Sequence, residues 1–200
     1  MRFWILAVIA GLAAGAAHAG PSIASGAYDN TLLIGVDPAT GVVSGYFDMD
    51  QGDTQPSFSC IFYFKGRLVG GAANIESYFP DDPKGDLIHG VLTAKGVAQV
   101  RLTLQTEHGG CAQVFHFADA DQPADFVLPS AIPWTSVRVV RAAKAYFYPA
   151  PAAAAHGRAY LVKGDGVGVR AAQPGWVQAD FVGDRRTSSG WLRETDLYAP

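Results

Sequence analysis

Apolar and polar residues alternate with a period of two along much of this chain. Val100, Leu102 and Leu104 interleave with Gln99, Arg101, Thr103 and Gln105. Phe58, Cys60, Phe62 and Phe64 interleave with Ser59, Ile61, Tyr63 and Lys65. This period sends alternate side chains to opposite faces of a strand, so each stretch predicts a strand with one strongly apolar face. Residues 32–36 and 42–47 flank Asp37-Pro38-Ala39-Thr40-Gly41, where proline presets a turn dihedral and Gly41 accepts positive φ. A hairpin is expected there. Lys65-Gly66-Arg67 reads as a turn into a weaker strand around residues 68–75. Residues 78–86, with Pro80-Asp81-Asp82-Pro83, read as an acidic loop. Glu107-His108-Gly109-Gly110 reads as a turn, and residues 111–117 as the start of a further strand.

No window carries a 3.6-residue period with caps. Residues 152–155 are all alanine, but Pro149, Pro151 and Gly157 bracket them closely, and the segment reads as a loop. About eight short strands separated by turn signals predict an all-β fold. Its N-terminal part is an antiparallel barrel or sandwich. Pro123, Pro129 and Pro133 mark a composition break taken as the boundary between residues 20–133 and residues 134–200. The stretch 134–141 fits either the last strand of the first unit or the entry to the second.

The ends and the cysteines bear on compartment. Arg2, the apolar run 3–14 and Ala17-His18-Ala19 have the charge, length and small-x-small pattern of a secretory signal peptide. Residues 1–19 are therefore expected to be removed, with cleavage before Gly20, leaving a periplasmic or secreted protein with no membrane span. The two cysteines, Cys60 and Cys111, are expected to form one disulfide in such a compartment. Loss of Arg2 would take the formal charge from −3 to −4. That weak acidity argues against a nucleic-acid partner.

From about residue 137 the chain resembles a bacterial SH3 (SH3b) domain. The marks are residues 144–148 (Lys-Ala-Tyr-Phe-Tyr), residues 158–165 (Arg-Ala-Tyr-Leu-Val-Lys-Gly-Asp), Val167 and Val169, Gly175-Trp176-Val177, Gly190-Trp191-Leu192, and Asp196-Leu197. The resemblance implies an SH3-like barrel over residues 134–200. It also implies an aromatic binding groove for which Tyr146, Tyr148, Trp176 and Trp191 are the candidates. For Trp176 and Trp191 the alternative is that they cover the ends of a small barrel. Peptidoglycan, a cell-wall peptide or a protein partner would be the ligand. The first hundred residues look only in a general way like small ligand-holding barrels of the lipocalin or avidin sort.

Chemistry-bearing clusters are sparse. Glu107, His108, Cys111, His116 and Asp119 form the densest set, yet they lack His-Glu-x-x-His or Cys-x-x-Cys spacing, and no metal site is assigned. Gly164-Asp165-Gly166-Val167-Gly168 precedes no helix that would hold a phosphate. Asp81, Asp82 and Asp86 lack the closing glutamate of a calcium loop. No catalytic residue and no cofactor is expected. The expectation is a non-enzymatic binding protein. The alternatives are an inhibitor or immunity-type protein that blocks a cell-wall hydrolase, with Asp81 and Asp82 as the contact loop, and a small-ligand carrier or hydrolase using the N-terminal unit.

Overall fold

The computed structural model describes residues 22–52, 57–183 and 186–199. The expected signal peptide lies outside these residues. The described chain is all-β, with two short 3-10 turns and no α-helix. Its first eight strands form one antiparallel meander: β1 (Gly26–Tyr28), β2 (Leu32–Val36), β3 (Val42–Gln51), β4 (Phe58–Val69), β5 (Ala72–Tyr78), β6 (Ile88–Ala94), β7 (Gln99–Leu104) and β8 (Ala124–Val127). The sheet curls into a nearly closed barrel. Across the seam the Asp29 N–H donates to the Val127 carbonyl at 3.0 Å, and the Val127 N–H returns to the Asp29 carboxylate at 3.0 Å.

Local chemistry explains the joins. Between β2 and β3, the Asp37 carboxylate accepts from the Ala39 N–H and the Thr40 hydroxyl, while Gly41 takes a φ of 70°. The hairpin expected from the pattern is therefore present. The turn expected at Lys65-Gly66-Arg67 lies elsewhere. β4 runs straight through those residues, and the reversal falls at Gly70-Gly71, with φ of 58° and 85°. Two successive positive φ angles suit the right-handed twist of a tight hairpin, and two glycines adopt them freely.

The strand expected over residues 111–117 is also absent. Cys111–Gln113 is a 3-10 turn that follows Gly110 at φ 88°. From there the chain folds inward and inserts Phe117 into the barrel. Phe47 meets Phe117 edge-on at 4.8 Å, and Phe62 meets it at 5.0 Å. Phe126, Leu32, Ile34, Leu92 and Leu102 complete an interior filled with side chains. Cys60 and Cys111 are joined and fully buried, bracing this inward segment against β4.

Residues 121–133 contain β8, so the prolines bracket a strand rather than mark a gap. The remaining strands are β9 (Ser136–Val139), β10 (Ala145–Tyr146), β11 (Tyr160–Leu161), β12 (Gly166–Gln173), β13 (Trp176–Val182) and β14 (Thr187–Arg193). β9, β12, β13 and β14 form one antiparallel sheet in the order β14-β13-β12-β9, and β10 pairs with β11. Residues 187–190 belong to β14. This second unit has its own core, centred on Val140, Ala145, Leu161, Val167, Val177, Ala179 and Leu192. The stretch 134–141 thus enters the second sheet.

A third apolar cluster joins the two units. β2, β3 and β4 are apolar on both faces, and Leu33, Tyr46 and Tyr63 point out of the barrel onto Trp134, Val137 and Val139. Burying each such side chain contributes about 1.5–3 kcal/mol. Several polar groups at this junction are matched. The Val137 N–H donates to Ser44 Oγ at 2.9 Å, and the Tyr63 hydroxyl donates to the Val137 carbonyl at 3.1 Å. Burial pushes the Tyr63 phenol up to about 12, opposed by its contact with the Ser44 hydroxyl. The Trp134 indole N–H donates at 2.8 Å to Asp180, a buried carboxylate that also accepts from Arg170 and Ser189. The backbones touch as well, because a Cβ on Gly35 would run into the main chain of Ser136.

Three outcomes are expected. Replacing both cysteines by serine should lower the unfolding free energy by about 4 kcal/mol, read from urea titration, given the 51-residue separation. Gly35→Ala should cost about 2 kcal/mol by the same measurement. Gly96→Ala, where a Cβ meets nothing within 4 Å, should leave the midpoint unchanged.

Candidate functional site

The second unit carries an unbroken row of aromatic rings. Register builds one end of it. Trp176 lies opposite Arg193, Gln178 lies opposite Trp191, and Trp191 is bridged to Tyr148 by two backbone hydrogen bonds. The Tyr148 ring meets Trp176 edge-on at 4.9 Å, and the Arg193 guanidinium sits over both, 5.1 Å from Tyr148 and 5.9 Å from Trp176. From Tyr148 the row continues through the loop that follows β10. His156 lies 5.8 Å from Tyr148 and stacks on Tyr146 at 3.9 Å. Tyr146 pairs in register with Tyr160, with ring centres 5.6 Å apart. Lys144 caps that end, its ammonium 4.6 Å from the Tyr160 ring.

The four candidate residues do not contribute equally. Tyr146 and Trp176 are half-buried. Tyr148 is only 7% exposed and acts as the base on which Trp176, His156 and Arg193 rest. Trp191 shares the face of Trp176 by register, but its ring makes none of the ring-to-ring contacts of the row. Sequence reasoning missed His156, Tyr160, Lys144 and Arg193. Tyr160 had a usable signal, since a two-stranded ribbon that places Ala145 opposite Leu161 must place Tyr146 opposite Tyr160. His156 lies in an irregular loop, where no period marks it.

Beyond Tyr160 the surface dips into an open cleft of about 470 Å³, lined by Phe147, Tyr160, Leu161, Phe181 and the side chains of Arg158, Arg186, Asp165 and Ser188. Two guanidinium groups against one carboxylate give the cleft a cationic bias. Planar guanidinium groups bind carboxylates through paired hydrogen bonds. The row and the cleft together offer stacking area beside anion-binding groups.

The cluster in the first unit is dispersed. Cys111 is locked in the disulfide. The Glu107 carboxylate accepts the Phe117 and Ala118 N–H groups, both at 2.8 Å, and so holds the inward segment in place. Asp119 accepts from Asp121 and Gln122 within its own loop. His108 is buried, stacked on Phe62 at 4.9 Å, and its Nε2 lies 2.9 Å from the Ser77 hydroxyl. A serine beside a histidine invites a nucleophilic reading, but the Ser77 hydroxyl donates to the Ile88 carbonyl at 2.9 Å. Its proton is committed there, so Nε2 must donate, and the pair is a structural bond rather than an activated nucleophile. Among the described residues, no three His, Cys, Asp or Glu side chains converge on a metal-sized point. No long apolar helix capable of crossing a membrane occurs among them either.

Compared with known proteins, the chain matches no family model, no curated protein and no solved structure.

His108 generates a pH prediction. Burial lowers its pKa from the usual 6.5, with Glu107 opposing. As pH falls through 6.5 the unfolded imidazole takes a proton that the folded one resists, so stability drops between 6.5 and the lower folded value. The melting temperature should therefore fall from pH 7.5 to pH 5, and His108→Gln should make that fall shallower. Parallel losses in the two proteins would contradict the assignment.

Proposed function

We propose that this is an exported binding protein whose second unit engages peptidoglycan, a cell-wall peptide or a protein partner through the aromatic row and the arginine-flanked cleft beside it. The observation that carries the reading is the continuity of Trp176, Tyr148, His156, Tyr146 and Tyr160, with cations over both ends. Rings in such a row supply apolar stacking area at low cost in side-chain entropy, while the flanking charges fix orientation. A sugar ring or a planar peptide group suits the row. A free carboxylate, of the kind that ends a short peptide, suits Arg158 and Arg186. The disulfide supports the exported part of the reading, because such bonds persist in oxidising compartments. The likeness of the second unit to SH3b domains supports the choice of ligand class, and the filled barrel leaves recognition to outer surfaces.

Retention of the full chain on purified peptidoglycan sacculi tests the idea. The native protein should co-sediment with sacculi. Tyr160→Ala combined with Trp176→Ala should cut the bound fraction at least fivefold with the melting temperature little changed. Arg158→Ala with Arg186→Ala should weaken retention and flatten its dependence on salt. A native protein that stays wholly in the supernatant at low salt would remove the cell-wall form of the proposal.

A further inference from the structure

A second cleft opens where the two units meet, and the aromatic row plays no part in it. Its volume is about 340 Å³, and its lining includes Tyr46, Ile61, Phe79, Pro80, Val139 and Tyr198. Both units contribute walls, β3 and β4 from the barrel, and Val139, Gly164 and Tyr198 from the other side. The Tyr46 hydroxyl donates to the Gly164 carbonyl at 2.7 Å, which ties the two walls together and consumes that phenol, while Tyr198 is a second phenol in the lining. The walls are thus mostly apolar, and the size lies within the range of small-molecule sites.

The charge around this cleft is predominantly negative. On the outer face of the barrel Asp48 pairs in register with Ile61, and Asp50 with Ser59, so both carboxylates border residues that line the cleft. The Ser59 hydroxyl donates to Asp50. Asp81 is itself a lining residue, and Asp165 follows the lining residue Gly164. Among the described lining residues the one cation is Lys163, which meets Asp81 at 3.6 Å. Asp48, Asp50 and Asp81 less one ammonium leave two negative charges, and Asp165, which lines the other cleft, adds to the field at Asp48. Among the described residues, neither Asp48 nor Asp50 has an ion-pair partner within 4.0 Å. The groups act on one another: desolvation, then Asp50 and Asp165, raise the Asp48 carboxyl above its usual range. Like charges gathered at an exposed rim repel one another, and a cation seated in the apolar cleft beside them would relieve that repulsion.

We propose that the cleft between the units binds a small organic cation, an ammonium group carried on an aromatic or branched apolar body. The body fills the space among Ile61, Phe79 and Tyr198. The ammonium faces Asp48 and Asp50 at the open side, where water solvates whatever charge remains. Binding of this kind falls with ionic strength and discriminates by the sign of the head group.

Three probes on one body plan test this, by amide chemical-shift titration of the full chain. Phenethylamine has ring and ammonium, phenylacetate has the ring with the opposite charge, and methylammonium has the charge without the ring. Phenethylamine should shift the amides of Ile61, Gly109 and Lys163 saturably, while the other two should not. Asp48→Asn with Asp50→Asn should weaken phenethylamine about tenfold, and the same variant carrying unchanged amide shifts elsewhere shows that it remains folded. Equal responses to phenethylamine and phenylacetate would overturn the charge argument. Equal responses to phenethylamine and methylammonium would overturn the apolar one. The absence of any shift at tens of millimolar phenethylamine would overturn the site itself.

Discussion

The structure depends on how one strand edge is received. β9 pairs with β12 along one side only, so the outward N–H and carbonyl of Val137 need partners from elsewhere. Ser44 and Tyr63, projecting from the outer face of the barrel, supply them. An unpaired buried peptide group costs about 1–3 kcal/mol, so two hydroxyls in the right place let the second sheet lie directly on the first. The apolar residues around them, Leu33, Tyr46, Val137 and Val139, then exclude water from the contact. Neither unit would present an acceptable surface alone. The barrel would expose a tyrosine-rich face, and the smaller sheet would expose an unsatisfied edge.

That arrangement sorts the chemistry in space. Among the described residues the interior of the barrel is chiefly apolar, with the disulfide, the Tyr28 hydroxyl bonded to Ala24 and the structural bond between His108 and Ser77 as its polar exceptions, and the Glu107 carboxylate at its edge. Titratable groups outside it are distributed unevenly, although Lys163 pairs with Asp81 and Arg138 with Glu194 where the units meet. Arginines and a lysine flank the aromatic rings of the second unit, and aspartates gather at the seam. Arg138 shows the limit of what the seam tolerates. It is nearly buried, with Glu194 at 3.6 Å and no partner for its Nε. Burial lowers its pKa, against the pull of Tyr63 and Glu194.

Much of the fold was legible in the sequence because strand period and turn chemistry are local. Alternation along residues 58–64 and 99–105 identified the strands and their inward faces, and the Asp37–Gly41 hairpin followed from its own residues. The errors arose where a tertiary partner overrode the local signal. Gly66 looked like a turn but tolerates a straight strand, while Gly70-Gly71 carried the true reversal. Residues 111–117 alternate like a strand, yet the disulfide and the barrel interior draw Phe117 inward instead. The site divided in the same way. Tyr146 and Trp176 were visible as aromatics on strand faces, whereas His156 and the acidic seam depend on loops and on contacts between units, which leave no periodic trace. Ile61 and Tyr63 illustrate the point, since residues that alternate outward from a barrel look solvent-facing until a second layer covers them.

The phenyl-packed barrel carries a consequence for how this molecule could diversify. A vessel that encloses its ligand must retune its packing whenever the ligand changes. Here the packed hydrocarbon is insulated from recognition, so the loops at residues 79–87 and 149–157 can accept new sequence without disturbing what keeps the chain folded. Such a body is well suited to serve as a fixed frame beneath an adaptable exterior.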